Sequence, residues 1–190
     1  LYNVNRGYRP HRRLRGHTSF VECLDWSADS RWLQSTCGSY EILYWDANEG
    51  RQILDTETIE TDTEWETWTC KLGFPVMGIW GKNMSGNDIN AVCRSPAQKL
   101  LATASDTGEV NVFHYPCVAA QAPSVGCRAH GSHVAGVSFL ADADSHMVSV
   151  GGVDKAIMIW ELRPPPPPPS KRGQHRRLKD PEDANYHRGG

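Results

Sequence analysis

Gly16-His17, then Phe20-Val21-Glu22-Cys23-Leu24-Asp25-Trp26, then Glu41-Ile42-Leu43-Tyr44-Trp45-Asp46: this stretch decides the fold. A GH pair opens it, a WD pair closes it, and short runs of alternating apolar residues fill the space between. The frame returns where Ala129-His130 is answered by Trp160-Glu161. A weaker copy runs from Asp88-Ile89-Asn90-Ala91-Val92 to Val110-Asn111-Val112-Phe113-His114. Self-similarity at roughly 40–45 residues with these ends is the signature of a four-stranded propeller blade. The sequence therefore predicts an all-β chain. It reads as an incomplete WD40-type β-propeller of about three blades plus part of a preceding one.

Working outward, Tyr2 stands where a blade often places Trp, so residues 1–4 read as the end of an inner strand. Residues 11–15 then read as the outermost strand of that preceding blade. Within the first repeat, residues 27–30 and Gly38-Ser39 are turn clusters, and Asn48-Glu49-Gly50 turns the chain into a further strand. The second repeat is delayed: Val21 matches Ile89, a spacing well beyond an ordinary repeat. The excess, residues 56–87, holds Trp65, Trp68, Phe74, Ile79 and Trp80, too many aromatics for a linker. An ordered elaboration is expected there, with residues 68–72 as a strand, residues 76–80 packed on the propeller and residues 81–87 as a polar loop. Strands are also expected over 89–93, 100–104, 109–113, 134–139, 147–150 and 156–160. No helix-period stripe is present. The blades are expected at 16–55, 56–115 with its insertion, and 116–162, with residues 1–15 closing a preceding blade.

After Leu162 the composition breaks. The prolines from Pro164 to Pro169 predict a polyproline II segment, and residues 170–190 predict a disordered basic tail. Such a proline run is a spacer or a ligand for SH3- or WW-type domains.

In a WD blade the GH histidine, a strand hydroxyl, a turn aspartate and the WD tryptophan hydrogen-bond in series, giving each buried polar atom a partner. The third repeat offers His130, Asp154 and Trp160, but Val150 falls at the hydroxyl position with Ser149 beside it, so a break is expected. The first offers His17, Ser35, Trp45 and Asp46, with Ser39 in place of the turn aspartate. The second offers Thr103 and Asp106, with Phe113 replacing Trp and Ser85 near the histidine position. These are architectural slots. Dyads such as His17–Asp25, Cys37–His114 or Asp106–His130 can be drawn, but no nucleophile motif or phosphate loop accompanies them. Neither catalysis nor a cofactor is expected.

The six cysteines show no C-x-x-C spacing and no zinc-like cluster, and read as reduced thiols of a cytosolic protein. Cys23 and Cys93 fall at alternating apolar positions. No segment is long and apolar enough to span a membrane, and no signal peptide is visible. The chain begins at Leu1, which reads as a fragment or processed product. Net charge is close to zero, but its distribution is uneven. Arg6, Arg9, Arg12, Arg13 and Arg15 form an acid-free stretch; residues 41–66 are acidic, with Arg51 the sole basic residue; the tail carries Lys171, Arg172, Arg176, Arg177 and Lys179. Such asymmetry marks either a solvated surface or contacts to an acidic partner. The tail lacks the interleaved aromatics of a base-stacking surface, so nucleic acid is not favoured.

Three motifs are more specific than a generic WD repeat. They are Asp25-Trp26-Ser27 followed by Tyr40-Glu41-Ile42-Leu43-Tyr44-Trp45-Asp46, then Thr67-Trp68-Thr69-Cys70-Lys71-Leu72-Gly73-Phe74-Pro75-Val76-Met77-Gly78-Ile79-Trp80, and Asp88-Ile89-Asn90-Ala91-Val92-Cys93-Arg94-Ser95. Together they resemble the C-terminal WD region of the echinoderm microtubule-associated protein-like family, over approximately residues 1–162. The resemblance implies a cytoplasmic protein of the microtubule cytoskeleton, the spindle included. It also implies tandem propellers, the second atypical, preceded by a basic segment and a trimerising coiled coil. On that reading this chain holds the last blades of the second propeller and a protein-interaction surface for tubulin. The alternative is a WD adaptor whose proline-rich, basic tail recruits SH3-type or acidic partners. Propellers close with ~4–8 blades, so about three blades in isolation are expected to be marginally stable or prone to aggregate.

Overall fold

A computed structural model describes residues 1–81, 88–140 and 144–163. The chain opens with a short hairpin, β1 (Tyr2–Asn3) and β2 (Arg9–Pro10), around a 3₁₀ turn at Val4–Arg6. The outer strand expected at residues 11–15 therefore lies earlier. His11 N–H still donates to the Leu1 carbonyl at 2.9 Å, and no strand follows it until residue 21.

The first four-stranded sheet is an antiparallel meander of β3 (Val21–Trp26), β4 (Trp32–Cys37), β5 (Ile42–Asp46) and β6 (Arg51–Ile53). A helix, α1 (Glu57–Asp62), and a 3₁₀ segment at Phe74–Ile79 follow. The second four-stranded sheet is β7 (Ile89–Arg94), β8 (Leu100–Ser105), β9 (Glu109–His114) and β10 (Ser124–Arg128). The third has β11 (Val134–Phe139), β12 (His146–Gly151) and β13 (Ile157–Glu161).

The repeat is written into the backbone of the turns. Ser30, Gln98 and Asp144 take left-handed conformations (φ 61°, 57° and 60°) at matching places between the first and second strands of their sheets. Tyr40, Gly108 and Lys155 do the same one hairpin later (φ 59°, 84° and 53°). A left-handed residue lets a short loop reverse the chain with the twist the strands need. Each first strand also carries a register shift near its start, at Val21/Cys23, Ile89/Ala91 and Val134/Gly136.

Three elements differ from the sequence expectation. Residues 68–72 alternate like a strand but join no ladder, because the backbone N–H groups of Thr69 and Cys70 are taken by the Asp25 carboxylate. Helix α1 leaves no amphipathic stripe because it is under two turns long; Glu57 and Glu60 sit in its first turn, where the helix dipole favours negative charge. The β10 strand was not anticipated. All five of its residues are exposed, so it carries no burial pattern to read.

The largest core lies between the first and second sheets. Trp65, Trp68, Val76 and Ile79 of the insertion pack there with Tyr44, Val92, Leu101 and Phe113. A second core, built on Ala102, Val110, Val134 and Met147, joins the second sheet to the third. The six cysteines are unpaired thiols. The proline run and the basic tail lie outside the described residues.

Candidate functional site

The third sheet carries a closed polar chain. Trp160 Nε1–H donates to Ser149 Oγ at 2.8 Å, Ser149 Oγ lies 2.7 Å from His130 Nε2, and His130 Nδ1 lies 3.0 Å from Asp154 Oδ2. Asp154 also accepts from the backbone N–H of Gly131 at 3.0 Å and of Ala156 at 3.1 Å. Those backbone bonds, that from Ala156 foremost, hold its carboxyl below the usual range. The carboxylate fixes the tautomer: Nδ1–H points to Asp154, and Nε2 accepts from the serine hydroxyl. The hydroxyl is Ser149, not a gap at Val150. The β12–β13 connection is one residue longer than β4–β5, so Ser149 lies 11 residues before Trp160 where Ser35 lies 10 before Trp45.

The first sheet repeats this with one member changed. Trp45 Nε1–H donates to Ser35 Oγ at 2.8 Å, and His17 Nε2 lies 2.7 Å from the same oxygen. Among the described residues, His17 Nδ1 is buried without a hydrogen-bond partner. Glu41 reaches towards it from the β4–β5 connection, its Oε2 at 3.7 Å, close enough for attraction and too long for a hydrogen bond. Glu41 instead accepts from Thr18, backbone N–H at 3.1 Å and hydroxyl at 2.9 Å. Asp46 caps the following turn through the N–H groups of Asn48 and Glu49.

In the second sheet Thr103 is buried, but Asp106 is exposed and accepts from Asn90 Nδ2 at 2.8 Å rather than joining such a chain. Ser85 lies outside the described residues. The dyads drawn from sequence are engaged elsewhere: His17 with Ser35, His130 with Asp154 and Ser149, Asp25 with the insertion, and Cys37 with Glu41.

Sequence reasoning missed the groups that fasten the insertion. Asp25 accepts from Thr67 Oγ1 at 2.6 Å, Thr69 N at 2.9 Å, Cys70 N at 3.1 Å and Gln34 Nε2 at 3.1 Å. Burial pushes its carboxyl up, and these hydrogen bonds outweigh that, so it is held below its ordinary value. From the other side, Arg94 donates through Nη2 to the carbonyls of Trp65 (2.6 Å) and Glu66 (3.0 Å) and stacks over Tyr115. Antiparallel backbone bonds tie residues 64–66 to 26–28, and Lys71 pairs with Glu22 at 3.0 Å. The insertion is thus clamped between an acid of the first sheet and a base of the second. The readable signal was Asp25 itself, a carboxylate at an alternating strand position.

The surface residues divide sharply. Arg12, Arg13 and Arg15 are exposed, as are Arg6 and Arg9, and among the described residues none of them has a salt bridge. Lys171, Arg172, Arg176, Arg177 and Lys179, and the prolines from Pro164 to Pro169, lie outside the described residues.

A family model described as the echinoderm microtubule-associated protein second beta-propeller matches residues 1–162. Echinoderm microtubule-associated protein-like 1 of Rattus norvegicus is 46% identical over 85% of this chain and 20% of its own length. Echinoderm microtubule-associated protein-like 4 of Homo sapiens is 45% identical over 85% of this chain and 17% of its own. Human echinoderm microtubule-associated protein-like 3 is 47% identical over 79% and 17%. The chain thus spans at most about a fifth of these relatives' length. A crystal structure of RRP9 WD40 repeats aligns at 16% identity and a TM-score of 0.41, over 78% of this chain and 37% of that one. With its blade-like antiparallel sheets and the insertion packed between two of them, the chain belongs to the echinoderm microtubule-associated protein-like family and carries WD-repeat sheets of its second β-propeller.

Proposed function

We propose that this chain supplies a non-catalytic protein-interaction scaffold to a microtubule-associated protein of the cytoplasm and its cytoskeleton, and that its surface contributes to tubulin binding. The observation that carries this reading is the family match over residues 1–162, which takes in the whole clamped insertion. Two features of the chain support it. The buried histidines are spent on architecture: the rings of His17 and His130 each bond a buried serine that also receives a tryptophan N–H. The exposed arginine stretch before residue 16 offers charge to an acidic partner and, among the described residues, gives up no ion pair to do so.

The test is co-sedimentation of the full-length parent with microtubules, with and without the segment equivalent to residues 1–163. Pelleting of the intact protein, weakened when the segment is removed, is the expected result. Absence of pelleting by the intact protein at low salt overturns the proposal, and unchanged pelleting of the deleted form removes this segment's share in it.

A further inference from the structure

The unpartnered nitrogen of His17 does not face empty protein. Cys37 Sγ and a Glu41 carboxylate oxygen stand with it, all three atoms within 4.8 Å of one another. Glu41 Oε2 is 3.7 Å from His17 Nδ1 and 3.3 Å from Cys37 Sγ. The His17 side chain is 7% exposed, and Cys37 is buried at 1%. An imidazole nitrogen, a thiol and a carboxylate thus converge from three segments: the one before β3, the end of β4 and the turn before β5.

We propose that His17 Nδ1, Cys37 Sγ and Glu41 Oε2 form a three-ligand site for a divalent transition metal ion of the zinc class. Zinc–ligand bonds of ~2.0–2.3 Å in a tetrahedron separate the ligand atoms by roughly 3.3–3.6 Å. The observed 3.7 and 3.3 Å need adjustments of a few tenths of an ångström, and the His17 nitrogen and Cys37 Sγ, within 4.8 Å of each other, close by at most about 1.3 Å. The donor set fixes the class of ion, because a thiolate with an imidazole favours zinc-like ions over magnesium or calcium, which take oxygen ligands. A fourth position is left for solvent.

The surroundings suit the role. Thr18 fixes the Glu41 carboxylate in place, its backbone N–H donating at 3.1 Å and its hydroxyl at 2.9 Å. Ser35 Oγ can accept from His17 Nε2–H, fixing the ring with Nδ1 as the free lone pair, as an outer-shell partner of a metal-bound histidine does. Binding then deprotonates the Cys37 thiol, the sulfur–metal bond replacing the S–H bond and one proton passing to solvent. The third sheet shows why the site lies here: there a carboxylate, Asp154, meets the histidine nitrogen directly, whereas Ser39 stands at that place in the first sheet.

The experiment uses the full 190-residue chain, stripped with a chelator and titrated with Co²⁺ and then Zn²⁺. The expected result is a thiolate-to-cobalt charge-transfer band with intense visible bands of tetrahedral Co²⁺, all displaced by Zn²⁺. Cys37→Ser abolishes the charge-transfer band, while Cys127→Ser, at an exposed thiol, leaves it unchanged. Absence of the band, or its persistence in Cys37→Ser, overturns the proposal. Should Cys37→Ser fail to fold, Glu41→Gln decides at a half-exposed position: Zn²⁺ affinity at least about tenfold weaker supports the site, and unchanged affinity overturns it.

Discussion

Asp25 and Thr69, 44 residues apart, are joined by a backbone N–H that points between both carboxylate oxygens, at 3.0 and 2.9 Å. Three further donors of the insertion converge on the same carboxylate: Thr67 Oγ1, Thr69 Oγ1 and Cys70 N. A buried anion satisfied by so many donors is costly to neutralise, because each donor loses a charge-assisted bond and some lose their only partner. Asp25→Asn is expected to destabilise the chain by about 3 kcal/mol or more. Urea unfolding followed by tryptophan fluorescence measures it, and hydrogen exchange should show residues 64–72 losing protection first.

The same carboxylate sets a pH dependence. The folded-state pKa of Asp25 lies below its ordinary value, so in acid the unfolded chain takes up a proton that the folded chain refuses. Its stabilising contribution is whole above the ordinary carboxylate pKa of about 4 and drains away as the pH falls below it. Asp154 and Glu41 are shifted in the same direction and act with the same sign. The urea midpoint should fall between pH 6 and pH 3, and in Asp25→Asn the fall should be shallower.

Ser149 is fully buried and serves both Trp160 and His130. Ser149→Ala strands an indole N–H and an imidazole nitrogen together, an expected loss of about 2–3 kcal/mol with a changed Trp160 emission. Val150, its neighbour in sequence, is 37% exposed, and Val150→Thr should stay within about 0.5 kcal/mol. A larger effect at 150 than at 149 would place the hydroxyl of the polar chain where the sequence spacing first put it.

That single-residue slip shows where sequence and structure part. The strands themselves were legible: residues 134–139 were expected and β11 is Val134–Phe139, because alternation against a core is a local property. The hydroxyl position was not, since counting back from Trp160 depends on how many residues the intervening loop contains, and one extra residue between β12 and β13 moves the match from Ser149 to Val150. Residues 68–72 failed for another reason. Trp68 and Cys70 are buried and Thr69 is half-buried, so the alternation is real, but its partner is a carboxylate from 44 residues away rather than a strand. The inward pair of Glu41 and Cys37 at His17 was equally invisible, being brought together by the short β4–β5 turn.

Gly78 packs the insertion tightly against the segment that joins β9 to β10. Its N–H donates to the Cys117 carbonyl at 2.7 Å, and Ala122 N–H donates to its carbonyl at 3.2 Å. A Cβ placed there would press on the carbonyl oxygens of Ala119 and Cys117, backbone atoms that cannot swing away. Gly78→Ala is therefore expected to cost about 1–3 kcal/mol despite the helical gain an alanine usually brings. A lowered melting temperature, with the Val76 and Ile79 region opening first in hydrogen exchange, is the readout.

The arginines separate the two readings of an exposed charged surface. If Arg12, Arg13 and Arg15 only solvate the chain, reversing them changes nothing but net charge. If they meet an acidic partner, each contact contributes a salt-sensitive share of affinity, screened over about 8 Å at physiological ionic strength. Arg12→Glu, Arg13→Glu and Arg15→Glu together, made in the full-length parent, should weaken microtubule co-sedimentation several-fold at low salt and flatten its dependence on salt. Folding should be spared, because the three side chains are exposed and, among the described residues, unpaired in salt bridges. The backbone of this stretch is held by main-chain bonds to Leu1, which the substitutions leave in place. Unchanged binding with an unchanged salt slope would return the stretch to the solvated surface and move the partner's contacts elsewhere on the sheets.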